Sequence, residues 1–402
     1  MAFGRRDFLA GAASAGLSLA LPREGLASGT VTLPMENGRR PLVAYPQKRP
    51  LILLTPRPPQ LETPFSIFDE GVLTPNDAFY VRWHLSGIPT TVSGTAHRIR
   101  VHGKVKRPLN LSVADLRTQF KRFEIIAVNE CSGNSRGLFS PRVPGGQWYN
   151  GAMGNARWTG VRLTDILAEA GLEDGVRQIR FSGLDKPALP ATPPFIKALS
   201  VEDIIDNGDV LVAYEMNGAP LPLLNGYPVR LVVPGWYGTY WVKMLDNIEA
   251  IDTIDDNFWM STAYRIPQTP GNTVKPTDTG YKTVPINKLT VRSFITNVKD
   301  GATLKPGRRT IRGIAFDGGS GIKAVQFSWD GGATWHPTTL GEDYGRYSFR
   351  RWQTTFTAVR GKRYELACRA IANSGEIQTA VPVWNPSGYL RNVIETYKVS
   401  VS

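Results

Sequence analysis

A chain of 402 residues with 42% hydrophobic content can fill the cores of two domains. Its 20% charged residues, 40 glycines and 30 prolines exclude a disordered chain and describe a loop-rich globular protein. The formal charge of +13 comes from scattered Lys and Arg without a long basic run, which excludes a nucleic-acid arm and favours a small anionic substrate and an acidic partner. The N-terminus reads Gly4-Arg5-Arg6-Asp7-Phe8-Leu9-Ala10, and an apolar stretch follows over residues 8–21. That stretch is too short and too rich in Ala, Gly and Ser to be a transmembrane helix. With the arginine pair it reads as a twin-arginine export signal over residues 1–27, removed near Ala27. The expected mature protein is periplasmic, delivered by the twin-arginine export machinery, and has no membrane span.

Residues 29–78 are rich in proline, with loop signals at Pro56-Arg57-Pro58-Pro59 and Leu73-Thr74-Pro75-Asn76-Asp77, and read as irregular. Residues 79–89 read as a short strand with a surface arginine. Residues 97–105 alternate as a strand does. His97 and His102 on it are five apart, so they point to opposite faces, no third ligand is near, and they read as solvated. Residues 111–122 predict a short helix with Ser112 as N-cap.

Glu124-Ile125-Ile126-Ala127-Val128 predicts a strand. It runs into the loop Asn129-Glu130-Cys131-Ser132-Gly133-Asn134-Ser135-Arg136. A cysteine there is a soft ligand for a transition metal, and a nearby arginine favours its thiolate. The same stretch equally suits a half-buried structural cysteine. The other cysteine, Cys368, reads as buried and inert, and a disulfide between the two would consume the candidate ligand. No Cys-x-x-Cys-His haem site and no Cys/His zinc spacing occurs. Residues 163–170 have helical apolar spacing closed by Gly171, and residues 178–185 read as a strand ending in a turn. Near Val284-Pro285-Ile286-Asn287 the character changes. Strands are expected at 289–294, 310–315, 322–329, 347–356 and 364–372, parted by Asp317-Gly318-Gly319 and Asp330-Gly331-Gly332. This is an all-β sandwich of immunoglobulin-like type without the Cys-Trp-Cys hallmark.

Cys131-Ser132-Gly133-Asn134-Ser135-Arg136 resembles the Cys-x-Gly-Asn-x-Arg segment of the sulfite oxidase family. The order and spacing of further segments extend that resemblance from about residue 70 to the C-terminus. It implies an α+β fold: a mixed α/β molybdopterin-binding catalytic domain over 28–285, then the immunoglobulin-like dimerisation domain over 286–402. It makes Cys131 the single protein ligand to molybdenum, the other ligands being oxygens and the dithiolene of a pterin. The segment Tyr80-Val81-Arg82-Trp83-His84-Leu85 is similar to the family's Arg-Asn-His-Leu stretch. By that likeness Arg82 faces the substrate, while Tyr80, Arg82, Trp83 and His84 adjoin the cofactor, with Trp83 where asparagine is usual. Asp185 matches an aspartate that bonds the pterin. Asn225, where the family has histidine, joins Arg230 and the Trp241-Val242-Lys243 segment around the cofactor's phosphate and pterin. A phosphate needs cationic donors, and arginine can grip it bidentately.

Trp148 matches a substrate-pocket tryptophan, and Tyr264 matches the tyrosine of a Trp-x4-Tyr segment beside the metal. Arg350 matches an arginine that the C-terminal domain sends back into the pocket, with Arg351 on the opposite face of the strand. Arg82, Arg136 and Arg350 would then form a cationic pocket, with Trp148 and Tyr264 beside it. The implied activity is oxidation of sulfite to sulfate at a molybdenum–molybdopterin centre. No haem is expected in this chain, so electrons would pass to an external acceptor such as a c-type cytochrome. A homodimer is also implied. Two other readings stay open. One is a periplasmic molybdenum reductase of S- or N-oxides, which the β domain and the arginine set disfavour. The other is a non-catalytic protein that binds partners on the same fold, which stoichiometric molybdenum would exclude.

Overall fold

The computed structural model describes residues 27–402. The expected export signal over residues 1–27 lies, but for Ala27, outside the described residues. Among the described residues no helix is long and apolar enough to cross a membrane.

The N-terminal stretch is ordered, contrary to its irregular reading. Strands Ala27–Thr32, Arg39–Val43, Leu51–Pro56, Pro59–Glu62 and Val81–Arg82 form one antiparallel sheet in chain order. Its prolines do not break it, because Pro56 and Pro59 stand at the end of one strand and the start of the next, where a missing N–H is tolerated. Leu51, Leu61, Val81 and Trp83 bury their side chains with Met244 in a small core.

A second sheet runs Ile196–Ser200, Gln178–Gly183, Leu245–Ile251, Ile99–Gly103, Leu109–Leu111. A third runs Ala219–Pro220, Leu211–Met216, Met153–Arg162, Arg122–Glu130, with Arg230–Val232 also pairing Leu211–Met216. Helix Val113–Gln119 begins at a capping box: the Ser112 hydroxyl accepts from Asp115 N–H at 3.1 Å, and the Asp115 carboxylate accepts from Ser112 N–H at 2.8 Å. Helix Leu163–Ala170 stops at Gly171, which adopts φ +67°. His97 is buried, against expectation. Its Nε2 meets the Leu245 carbonyl at 2.8 Å, because the parallel pairing of Ile99–Gly103 with Leu245–Ile251 draws the residues before the strand inward. His102 meets Asn247 Oδ1 at 2.7 Å.

The C-terminal unit is a sandwich. Strands Arg292–Ile295, Gly307–Phe316, Arg350–Ala358 and Thr339–Leu340 face a sheet ordered Thr303–Leu304, Thr396–Val401, Arg363–Ala372, Ile322–Ser328, His336–Pro337. The strand Thr396–Val401 was not expected. Val325, Phe327, Trp352, Leu366 and Cys368 fill the space between the sheets. The Cys368 thiol is fully buried, and burial pushes it up to about 12, which keeps it a thiol. Phe294, Ile314, Phe316, Tyr347 and Phe349 turn the other way and belong to the large core of the preceding sheets. Phe65 packs edge-on against Phe68 at 5.3 Å and against Phe294 at 5.4 Å, and Phe68 packs against Phe349 at 5.9 Å.

Glu62 links the N-terminal sheet to the loop after Cys131. Its carboxylate accepts from the N–H groups of Tyr149 at 3.0 Å and Gly151 at 2.8 Å. The side chain is fully enclosed, and burial lifts its carboxyl to about 7. A carboxyl raised in the folded state supports folding below its unfolded value and loses that contribution as pH rises through the folded one. Thermal melts of wild type and Glu62→Gln should therefore diverge in favour of the variant between about pH 5 and about pH 8. A difference in Tm that does not change with pH would refute the assignment.

Candidate active site

The strand Arg122–Glu130 ends where Cys131 begins a tight turn. Cys131 N–H bonds the Ala152 carbonyl at 2.9 Å, and its own carbonyl accepts from Asn134 N–H at 2.9 Å. Ser135 sits at φ +68°, and a side chain on Gly133 would meet the Arg136 guanidinium at 2.6 Å. The turn is fastened from the sandwich. Arg292 donates to Glu130 Oε1 at 2.6 Å and to Ser135 Oγ at 2.9 Å, and Asn134 Nδ2 reaches the same Glu130 oxygen at 2.9 Å. Arg292 and Glu130 are at most 1% exposed.

Cys131 opens into a partly open cavity. Tyr80, Arg82, His84, Asn225, Arg230, Lys243 and Tyr264 line it with Cys131, as do Asn129, Ser132, Gly238 and Thr239. Its charge is mostly positive. Burial, then Arg230, brings Lys243 down to about 7, although Asp185 opposes the shift. Burial brings Arg230 down to about 10. Asp185 is itself raised by burial despite Lys243. His84 is held neutral by burial and by Arg82, Lys243 and Lys197, and its ring stacks on Phe195 at 3.7 Å. Its Nε2 lies 2.5 Å from the Tyr264 hydroxyl. Tyr264 adopts φ +58°, and burial raises its hydroxyl well above the usual range.

Several polar atoms in this wall have no partner: Arg82 Nη1, Asn129 Nδ2, Ser132 Oγ, Arg230 Nε and Thr239 Oγ1. Buried donors are normally satisfied, so a cluster of orphans around one cavity marks the wall of a polar, anionic ligand. Guanidinium, ammonium, amide and hydroxyl donors beside one thiol fit a phosphorylated pterin whose metal takes the sulfur.

The other residues singled out in the sequence stand around this cavity or away from it. Arg136 donates to the carbonyls of Ser387 at 3.1 Å and Gly146 at 3.3 Å, and its charge acts on Tyr264. Trp148 is buried edge-on against Tyr80 at 6.4 Å. Trp83 is buried in the small core with the Lys243 ammonium 4.6 Å above its ring, and its Nε1 donates to the Leu224 carbonyl at 3.0 Å, so it offers the cofactor no free polar atom. Trp241 and Val242 lie behind Arg230, which donates to the Trp241 carbonyl at 3.1 Å. Arg350 is not brought in. It pairs with Asp343 at 3.1 Å, and Arg351 reaches the Asp69 carbonyl at 3.2 Å. The contact with the catalytic sheets is made earlier in that segment, where Val128 N–H bonds the Tyr347 carbonyl at 2.9 Å, so Arg350 already lies in the sandwich sheet opposite Ala315.

The sandwich does reach the site, at a place the sequence reading missed. Tyr389 stacks on Tyr264 with ring centres 5.5 Å apart, and the Arg136 guanidinium stands 5.1 Å over its ring. Gly388, at φ +62°, allows this approach, since a side chain there would lie 2.8 Å from Arg136 Cγ. No local pattern marks Tyr389. Ser132, by contrast, lies inside the Cys131 segment, and Thr239 flanks the Trp241-Val242-Lys243 segment.

Residues 85–259 match the oxidoreductase molybdopterin-binding domain, and residues 283–402 match the Mo-co oxidoreductase dimerisation domain. The fold and cavity are thus those of a molybdopterin-dependent oxidoreductase. Sulfite oxidase of Gallus gallus is 35% identical over 87% of this chain and 78% of its own. The mitochondrial sulfite oxidase of Homo sapiens is 35% identical over 86% of this chain and 65% of its own, so the relatives carry sequence beyond the matched part. The sulfane dehydrogenase SoxCD of Paracoccus pantotrophus superposes with a TM-score of 0.72 at 26% identity, covering 86% of this chain and 85% of that one. The chain belongs to the sulfite oxidase family.

Removing one partner of a buried ion pair leaves an uncompensated charge, typically at a cost of about 3–5 kcal/mol. Arg292→Met should lower the denaturant-unfolding free energy by about that much. A loss below about 1 kcal/mol, the range of surface pairs, would show that the pair does not hold the turn.

Proposed function

We propose that this protein oxidises sulfite to sulfate at a molybdenum–molybdopterin centre and passes the electrons to an external acceptor such as a c-type cytochrome. The observation that carries this reading is the cationic cavity around Cys131, with Arg82 in its wall and Arg136 acting on the same tyrosine. When bound, the cofactor supplies two-electron redox chemistry at the metal. The chain supplies the rest. Cys131 would hold the metal, and Arg230, Lys243 and the unpartnered atoms of Asn129, Ser132 and Thr239 would hold the pterin and its phosphate. Arg82 and Arg136 would bind an oxyanion and compensate its lost water. That pair favours an anion over a neutral S- or N-oxide. A neutral His84 can accept the Tyr264 hydroxyl proton in a hydrogen bond, keeping that hydroxyl aimed at the cavity.

The test is sulfite-dependent reduction of ferricyanide by purified, molybdenum-loaded protein. Absence of turnover in loaded protein would reject the reading. Cys131→Ser should fold yet show little or no turnover, whereas Cys368→Ser should keep activity. Arg82→Gln and Arg136→Gln should each lose about 2–4 kcal/mol of transition-state stabilisation, mostly in KM if the lost binding is uniform, with molybdenum content retained. Arg350→Gln should stay close to wild type, because Arg350 lies outside the cavity, and Arg230→Gln should lose metal and pterin together. Wild-type kinetics in Arg82→Gln would undo the division between substrate and cofactor arginines.

We further infer export to the periplasm and a homodimer. The Arg5-Arg6 pair with its apolar stretch supports the first, and the match of residues 283–402 to a dimerisation domain supports the second. Arg5→Lys with Arg6→Lys should strand precursor in the cytoplasm on cell fractionation. Light scattering of the mature protein should return twice the chain mass. Periplasmic variant protein or a monomer mass would contradict the respective inference.

A further inference from the structure

Lys48 lies in the connection between strands Arg39–Val43 and Leu51–Pro56, outside the residues that match the molybdopterin-binding family model. Its side chain nonetheless crosses to the back of the cofactor cavity and is 6% exposed. The ammonium donates to the Asn76 carbonyl at 2.6 Å, the Phe79 carbonyl at 3.0 Å and Asn225 Oδ1 at 2.5 Å. These partners are neutral. Burial brings the ammonium down to about 7, against the pull of Asp77. A buried cation set among neutral acceptors is a poor stabilising device, because its desolvation is not matched by an opposite charge. It makes physical sense beside an anion.

Asn225 connects Lys48 to that anion's site. Its Nδ2 donates to the Tyr80 carbonyl at 3.1 Å, so its amide is pinned at both ends. Its backbone carbonyl accepts from Arg230 Nη1 at 2.9 Å. Arg230 is thereby aimed with its Nε unpartnered in the cavity wall. We propose that Lys48 is a positioning residue for the anionic end of the cofactor: through Asn225 it fixes Arg230, and it returns to the cavity wall the positive charge that an asparagine at this place does not carry. This inference rests on the cofactor reading above.

The test uses the full chain as expressed, with molybdenum measured by elemental analysis and released pterin by fluorescence, each per folded protein by circular dichroism. Lys48→Met should reduce occupancy by at least about fivefold, a change of roughly 1 kcal/mol in retention. Lys48→Met combined with Asn225→His, which restores a titratable cation donor at the cavity wall, should recover part of that loss. A purely structural lysine would give no such recovery, so its absence overturns the proposal, as does full occupancy in Lys48→Met. If Lys48→Met does not fold, Lys48→Gln decides. It keeps a neutral donor toward the same acceptors without the charge, so it should fold and lose cofactor, and full occupancy in it overturns the proposal. Wild-type protein without pterin would instead sink the underlying cofactor reading.

Discussion

The contact between Arg292 and Glu130 is the constraint on which the site depends. Both groups are inside the protein, and each comes from a different half of the chain. A buried guanidinium is tolerable only with its carboxylate present, so the pair exists only when the sandwich is docked on the catalytic sheets. The same guanidinium reaches Ser135, and the same carboxylate holds Asn134, so the turn that presents Cys131 takes its shape from a strand of the sandwich. The shared core argues the same way. Phe294, Ile314, Phe316 and Phe349 belong by sequence to the dimerisation-domain match but pack with the catalytic sheets. A thiol meant to hold a metal gains a fixed position from this arrangement, which preorganises it at no expense of rearrangement when the metal arrives.

Electrostatics in the cavity work against the empty protein. Arg82, Arg230 and Lys243 crowd one wall, and Asp185 is the main opposing charge. Burial pulls Lys243 and Arg230 toward neutrality, and polar atoms around them remain unpartnered. An anionic ligand removes both penalties at once by supplying charge and acceptors. The wall thus stores a preference for an anion that no single residue would show.

Local signals in the sequence located much of the fold. The Ser112 cap, the helix ending at Gly171 and the strand before Cys131 depend on neighbours a few residues away, and they stand where expected. The N-terminal sheet was hidden because its prolines occur at strand ends, and a proline count does not distinguish an end from an interruption. The site was legible where it falls on short motifs: Cys131, Arg82, His84, Arg230, Lys243 and Tyr264 are brought together, although they come from five separate segments. Lys48 was not legible, because its contact with Asn225 spans 177 residues of sequence. Arg350 was misplaced for a related reason. Strand parity distinguishes it from Arg351, but parity cannot say at which residue a strand leaves the neighbouring unit, and that happens at Tyr347–Phe349.

Replacing Arg350 by Tyr389 in the account of the pocket changes its chemistry. The sandwich contributes an aromatic face and the Ser387 carbonyl, and the carbonyl takes up a donor of Arg136. Arg136 is therefore held by neutral groups, with its charge still directed at the Tyr264–Tyr389 pair. On the proposed activity, substrate and product are both small oxyanions. A further arginine would bind the two alike, and binding that does not distinguish the transition state gives no gain in turnover while slowing release of product. Two arginines and a stacked tyrosine pair leave enough positive charge to bring an anion out of water, and leave one wall that does not hold it.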